Sequence, residues 1–361
     1  MKRKPPDRLF FFTVIGLTLV GFFLFSSASL GLLGRGNVAN FNLIASKQLV
    51  ILLVGVAACL VISKMDYRFW RDNSLYIFIA TIIFTLGVFV PGLGQSSGGA
   101  HRWVLIGPFS IQPSEFLKLG FILYLAAWLA KAREGVRTFR RGLLPFLIVS
   151  GLVGAIMIAQ PDIDTLVIML AGGVGMYFVA GARWSHLALL SLVLVAVIAV
   201  TALFRPYILK RVQTFFHPEQ NVLSSSYQIN QSLIAIGSGG WLGRGFGQSI
   251  QKFKYLPEPI GDSVFSVASE EFGFVGATLL IAGFLLFALT GWRIAIRAPT
   301  PFGRLVTVGL VIMIMTGTFI NIASMLGLIP LTGTPLLFVS HGGTALLLAL
   351  VEAGIILNIS R

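Results

Sequence analysis

Ten runs of nearly uninterrupted apolar residues, at 9–33, 43–63, 75–91, 113–130, 143–160, 165–182, 186–204, 264–290, 305–328 and 342–358, constrain this chain more than any motif does. Most approach the roughly 20 residues that a helix needs to cross about 30 Å of hydrocarbon. They are too long and too continuously apolar for tilted barrel strands. In lipid each backbone N–H and C=O has to be satisfied within the segment, so the runs read as helices. The predicted fold is all-α: a polytopic membrane protein with ten transmembrane helices in a single domain, 1–361, and one large extracytoplasmic loop, 205–263, between helices 7 and 8. With 56% apolar and 11% charged residues and a mean hydropathy of +0.89, a soluble globular class is excluded.

Lysine and arginine placement orients the bundle. With the N-terminus inside, the short inner loops and the termini hold Lys2, Arg3, Lys4, Arg8, Lys64, Arg68, Arg71, Lys131, Arg133, Arg137, Arg140, Arg141, Arg183, Arg293, Arg297, Arg304 and Arg361. The short outer loops hold only Arg35 and Arg102. The other outer cations, Arg205, Lys210, Arg211, Arg244, Lys252 and Lys254, fall in the long loop, which the charge rule does not govern. Both termini are therefore expected in the cytoplasm. The formal net charge of +14 reads as topology and attraction to anionic lipid, with no nucleic-acid partner implied. The first run follows a basic KRKPPDR segment but exceeds a signal-peptide core, so it is expected to remain as the first span. The single cysteine, Cys59, allows neither an intrachain disulfide nor a cysteine metal site.

Charge inside a span is costly and by default marks a site or an ion path. Glu115 and Lys118 stand three residues apart on one face of the fourth run, in its outer third. Lys47 sits at similar depth in the second run, Asp162 and Asp164 close the hairpin between the fifth and sixth, and Glu270 and Glu271 enter the eighth from outside. Only Glu352 falls in an inner half, so a relay through both leaflets is not indicated. A plain salt bridge is an equal reading for Glu115 with Lys118.

The segment from Gly243 to Gly273 concentrates polar chemistry in an otherwise hydrocarbon-like chain. Gly243, Gly245 and Gly247 suit a backbone-amide nest for phosphate oxygens, with Arg244, Lys252 and Lys254 as cations for a pyrophosphate; a simple turn is the plainer alternative. No Lys-Ser or Lys-Thr follows the glycines, so nucleotide hydrolysis is not indicated. Asp262, at the entry to the eighth run, fits either a general base with a raised pKa or the N-cap of that helix. Tyr227 to Ile236 carries helix-like apolar spacing and stops at a glycine cluster, which suits a surface helix or the wall of a substrate cleft.

At these residues the chain resembles the SEDS proteins (shape, elongation, division and sporulation), the family of FtsW and RodA. The likeness spans all ten runs. It rests on 112–118 (QPSEFLK), Gln160-Pro161-Asp162, Tyr227-Gln228 with 231–240, Gly243-Arg244-Gly245, Leu256-Pro257-Glu258 through Asp262, Glu270-Glu271 and 330–343 (PLTGTPLLFVSHGG). The Tyr-Leu-Pro-Glu wording is nearer to FtsW than to RodA. One departure stands out: Ile260-Gly261 precede Asp262 where members usually carry His-Thr.

The resemblance implies a peptidoglycan glycosyltransferase of the bacterial cytoplasmic membrane that polymerises lipid II at its outer face, for division or elongation. Its partners would be lipid II, undecaprenyl-pyrophosphate-linked glycan, a class B penicillin-binding protein transpeptidase and membrane lipid. By the same resemblance Asp262 is the catalytic carboxylate, and Glu115 with Lys118 form a pair needed for activity. Lys47, Arg102, Arg244, Lys252, Lys254, Glu258, Gly243 and Gly245 complete the expected substrate site. The resemblance leaves room for a divalent cation, Mg2+ or Mn2+, at the pyrophosphate, although the sequence holds no dedicated metal cage. Two rivals are a lipid II flippase and a non-catalytic scaffold for the partner synthase. A flippase is helped by inverted repeats, which are not seen, and a scaffold needs neither membrane-depth charge nor the loop chemistry.

Overall fold

The computed structural model describes residues 5–33, 38–97, 100–107, 109–204, 206–217 and 226–361. Lys2, Arg3, Lys4, Arg35, Arg205 and part of the 205–263 loop lie outside these residues.

The described chain builds α1 (Arg8–Leu33), α2 (Val38–Lys64), a short α3 (Tyr67–Asp72), α4 (Ser74–Leu86), α5 (Pro113–Ala132), α6 (Leu144–Ala159), α7 (Ile163–Val179), α8 (Trp184–Phe204), α9 (Pro206–Phe216), α10 (Tyr227–Ser238), a one-turn α11 (Gln251–Lys254), α12 (Val264–Arg297), α13 (Pro301–Met325) and α14 (Gly343–Ile359). Each apolar run of the sequence coincides with one of these helices. Six of them, α1, α2, α6 with the turn before it, α8, α12 and α13, are long and apolar enough to cross a membrane. The helices α4, α7 and α14 are apolar but shorter.

Packing follows from which faces are apolar and which are enclosed. Large apolar side chains such as Leu53 and Val61 on α2, Leu192 and Val195 on α8, and Leu279 and Leu289 on α12 are exposed. Water opposes a continuous surface of this kind and lipid accepts it, as expected of a polytopic membrane protein. The helix α13 is the most enclosed of the six, with 78% of its apolar stretch buried. It packs against α5, α7, α12 and α14, while α14 lies along α2.

The all-α expectation is corrected between α4 and α5. That connection folds as a three-stranded antiparallel sheet, β1 (Gly94–Ser97), β2 (Ala100–Ile106) and β3 (Phe109–Ile111), in the order β1-β2-β3. Val104 of β2 pairs with Gly94 on one side and Ile111 on the other. Aromatic and β-branched residues at Trp103, Val104 and Ile106 favour a strand, and Gly107, at φ 59°, makes the turn into β3. The sheet delivers Arg102 to the top of the helices.

Candidate functional site

Three successive carbonyls just before α12 are pinned by three donors. The His341 N–H donates to Ile260 O (2.7 Å), Ser340 Oγ to Gly261 O (2.7 Å) and Asn321 Nδ2 to Asp262 O (2.8 Å). Asn321 Nδ2 also donates to Thr334 O (2.7 Å), so the 330–343 stretch is tied to α13 and clamps the segment that carries Asp262. On the other side, Glu258 adopts a left-handed φ of 44° and its carbonyl accepts from the amides of Gly261 (3.0 Å) and Ser263 (3.2 Å). This closed turn fixes the backbone of Asp262 from both directions.

The carboxylate of Asp262 is left without a hydrogen bond among the described residues, and the residue at the helix boundary is Ser263. The N-cap reading therefore does not describe its role. Half-buried, Asp262 has its pKa pushed up to about 7, first by loss of solvent and then by the charges of Glu258 and Asp164, with Arg211 acting in the opposite sense. A carboxyl that titrates near neutrality suits proton abstraction. Gly333 forms the adjoining wall: a Cβ there would lie 3.7 Å from Asp262 Oδ2, and its N–H donates to Asp164 Oδ2 at 3.3 Å. Arg211 of α9 pairs with the same Asp164 oxygen at 3.1 Å.

Next to this lies the buried charge cluster of α5 and the α6–α7 turn. Lys118 Nζ is 2.8 Å from Glu115 Oε2, and each residue is 5% exposed. The carboxylates acting on Lys118 are those of Glu115, Glu352 and Asp162. Glu352, set apart by the sequence reading, thus joins the same cluster from the middle of α14. Asp162 is buried; it faces Arg102 Nη1 at 3.7 Å and accepts from Gln112 Nε2 (3.4 Å) and Ser114 Oγ (3.5 Å). Arg102 also donates to the carbonyls of Gln160 and Pro161, which locks β2 onto the α6–α7 turn. A cavity of about 40 Å³ runs between these groups, lined by Arg102, Gln112, Glu115, Lys118, Asp162 and Gly333 among others. It holds a water or two and not a sugar. Gly333 is its shared wall with Asp262.

Lys47 stands apart from that lining. Its charge acts on His341, whose Nδ1 lies 2.9 Å from the neighbouring Gln48 Oε1. Burial first, and then Lys47, hold His341 below its usual pKa.

The glycine loop corrects the sequence reading most. The helix α12 is broken at Gly273, where φ 64° and ψ −163° are open essentially to glycine alone. The loop splices into this break. Amides of Arg244 and Gly245 donate to the carbonyls of Glu270 (3.0 Å) and Glu271 (2.9 Å), while the amides of Phe274 and Val275 donate to Gly240 O (2.8 Å) and Trp241 O (3.1 Å). A side chain on Gly243 would collide with the Glu271 carbonyl, so glycine is required there by packing. Gly243 and Gly245 thus complete a broken helix, in place of the expected phosphate nest.

The anions the loop does hold are the protein's own. Ser249 Oγ (2.6 Å) and the amides of Ile250 (3.0 Å) and Gln251 (3.3 Å) donate to Glu270, and Arg244 Nε lies 3.5 Å from it. Lys252 Nζ sits 2.6 Å from Glu271 Oε1 with both side chains fully buried, and Ser27 Oγ of α1 donates to the same carboxylate at 2.6 Å. Lys252 is held in this pair, its charge balanced by Glu271. Of the three expected loop cations, Arg244 is half-committed and Lys254 is exposed.

The helix α10 packs on α12 and α13 through Ile229, Ser232 and Ala235, and Gln228 Nε2 reaches Ser263 Oγ at 3.1 Å, one residue from Asp262. Arg211, Asn321 and Gly333 are the neighbours of Asp262 that the sequence reading did not single out for the site, while Asp164 was named there among the charges at the outer ends of the runs. The available signal was Lys210-Arg211 in an apolar repeat after Pro206.

Similarity to known proteins accords with this geometry. The FtsW/RodA/SpoVE family model, described as cell cycle protein, matches residues 7–361. The chain is 39% identical over 360 residues to stage V sporulation protein E of Bacillus subtilis, covering 100% of this chain and 98% of that protein. It is 33% identical over 354 residues to a probable peptidoglycan glycosyltransferase FtsW of Trichlorobacter lovleyi, covering 98% and 93%. Among solved structures, a chain from a peptidoglycan synthase complex that coordinates polymerization and crosslinking superposes with a TM-score of 0.80 at 28% identity, covering 99% of this chain and 98% of that one. The rod shape determining protein RodA of Thermus thermophilus superposes with a TM-score of 0.72 at 25% identity, covering 99% and 97%.

Proposed function

The chain belongs to the FtsW/RodA/SpoVE family of cell cycle proteins, and from that membership we propose that it is a peptidoglycan glycosyltransferase polymerising lipid II into glycan strands at the outer face of the bacterial cytoplasmic membrane. The observation that carries the reading is Asp262: a carboxyl on a clamped backbone, without a hydrogen bond among the described residues, with a pKa raised to about 7 at the outer end of α12. In the reaction Asp262 takes the proton of the GlcNAc 4-hydroxyl of one lipid II. That oxygen attacks the anomeric carbon of the growing chain with inversion, and the bond to undecaprenyl pyrophosphate breaks. Pyrophosphate leaves as an anion, so no second carboxyl acid is needed. Arg211, beside Asp164, and the exposed Lys254 supply positive charge at headgroup level. Glu115, Lys118, Asp162 and Arg102 act as positioning groups behind the Gly333 wall.

In this proposal all ten apolar helices span as a single domain, both termini lie in the cytoplasm and the 205–263 loop lies outside. A divalent cation, Mg2+ or Mn2+, would come with the pyrophosphate. Among the described residues no group of three or more His, Cys, Asp or Glu could hold one. The partner is a class B penicillin-binding protein transpeptidase, a reading supported by the likeness to a chain of a peptidoglycan synthase complex. Incubating the purified chain with lipid II, alone and with that partner, tests the function. Glycan polymer is expected, and its absence in both mixtures would contradict the proposal.

A further inference from the structure

The helix α12 begins beside Asp262 and ends at Arg297, and at that far end lies a second, larger and open cavity of about 710 Å³. Its walls are the start of α1, the α2–α3 corner, the end of α12 and the end of α14. Three guanidinium groups line it: Arg68, Arg297 and Arg361. Among the described residues none of the three joins an ion pair, and Arg361 Nε is buried without a partner. The two lining carboxylates have helix amides to hold. Asp7 Oδ1 accepts from the Phe10 N–H (2.9 Å) and Asp66 Oδ1 from the Arg68 N–H (3.0 Å), each at a helix start.

One further lining group points to a ligand. Asn358 is 5% exposed; its Nδ2 donates to the carbonyls of Ser63 and Met65, while Oδ1 is buried with no partner. An unmet buried acceptor carries a free-energy cost that a donor from a ligand would relieve. The cavity also sits where the apolar stretches of α1, α2, α12 and α14 end, which is the depth of phospholipid headgroups.

We propose that this cavity binds the headgroup of an anionic phospholipid with free hydroxyls, of the phosphatidylglycerol type. The phosphate oxygens accept from the arginine guanidiniums, and a glycerol hydroxyl donates to Asn358 Oδ1. A choline headgroup brings a cation towards three arginines and offers no donor for Asn358. The volume exceeds that of a lone phosphate, which leaves room for the glycerol.

The test uses the full chain in detergent, titrated with dihexanoyl-phosphatidylglycerol, dihexanoyl-phosphatidylcholine or inorganic phosphate while thermal unfolding is followed. Saturable stabilisation by the glycerol lipid alone is expected. Its apparent affinity should weaken about tenfold in Arg68→Gln/Arg297→Gln, the loss of one to two charge-assisted contacts. It should be unchanged in Arg140→Gln/Arg141→Gln, whose exposed arginines on the α5–α6 connection lie outside the cavity. Equal stabilisation by phosphatidylcholine, or equal weakening in the two double variants, would overturn the proposal. Phosphate acting as strongly as the glycerol lipid would overturn the lipid assignment in favour of a soluble anion. Should Arg68→Gln/Arg297→Gln fail to fold, native mass spectrometry of the unaltered protein decides: retention of phosphatidylglycerol over phosphatidylcholine supports the site, and no preference refutes it.

Discussion

Lys118 Nζ lies 2.8 Å from Glu115 Oε2, one turn away on α5, and both side chains are almost sealed from solvent. Removing one partner of such a pair strands a buried charge at a cost of about 3–5 kcal/mol, whereas removing both is far milder. Glu352 and Asp162 add negative charge around Lys118. Lys118→Ala should therefore be the least stable single variant, and Glu115→Ala/Lys118→Ala should unfold at a higher temperature than either single. A double variant less stable than Lys118→Ala would contradict the pairing.

Lys252 and Glu271 are expected to behave as structure. Lys252→Met leaves a fully buried carboxylate beside Ser27 and should lower stability by about 3–5 kcal/mol, with partial recovery in Lys252→Met/Glu271→Gln. Thermal unfolding in parallel with lipid II polymerisation checks this. A Lys252→Met protein of normal stability that has lost only polymerisation would return Lys252 to the substrate site.

The apolar helices were legible because runs of this length have few other homes, and Glu115 with Lys118 because three residues make one helical face. Asp262 stood out through its place at the entry to α12. What escaped the sequence depends on contacts between distant segments. Gly243, Gly245 and Gly247 do take positive φ values of 79°, 104° and 80°, as an amide nest needs. Their N–H groups are taken up inside the protein, Gly243 by Gly239 O, Gly245 by Glu271 O and Gly247 by Ser27 Oγ, and nothing local distinguishes such acceptors from a phosphate. Ser27 meets Lys252 across most of the chain, and Arg211 meets Asp164 between α9 and α7. The β1–β3 sheet is built from strands too short to leave a periodic signature against the apolar background.

Gly333→Ala tests the shared wall between the two halves of the site. The added methyl would stand 3.7 Å from Asp262 Oδ2, an ordinary contact, so folding should be unaffected. By displacing solvent from the carboxylate it should raise the pKa further and move the acid limb of the polymerisation rate profile to higher pH. An acid limb at the same pH as in the unaltered protein would place Gly333 away from the functional carboxyl.

Asp262 also links stability to pH. Its usual value of 3.8 rises to about 7 in the fold, so the protonated form contributes stability that is complete below about pH 4 and is lost as the pH climbs through 7. Asn carries no ionisation penalty. Asp262→Asn should match the stability of the unaltered protein near pH 4 and exceed it at pH 8, by on the order of 1–3 kcal/mol at this half-buried site and with a higher Tm. An identical Tm difference at both pH values would show that Asp262 titrates normally.

Polymerisation of lipid II by the purified Asp262→Asn chain, with its transpeptidase partner present, tests the central claim most directly. Asn keeps the size of the side chain and the clamped backbone but cannot accept the hydroxyl proton. The expected result is a folded protein whose rate of glycan synthesis has dropped by about 100-fold or more. A rate within a few-fold of the unaltered chain would contradict the assignment of Asp262 as the base.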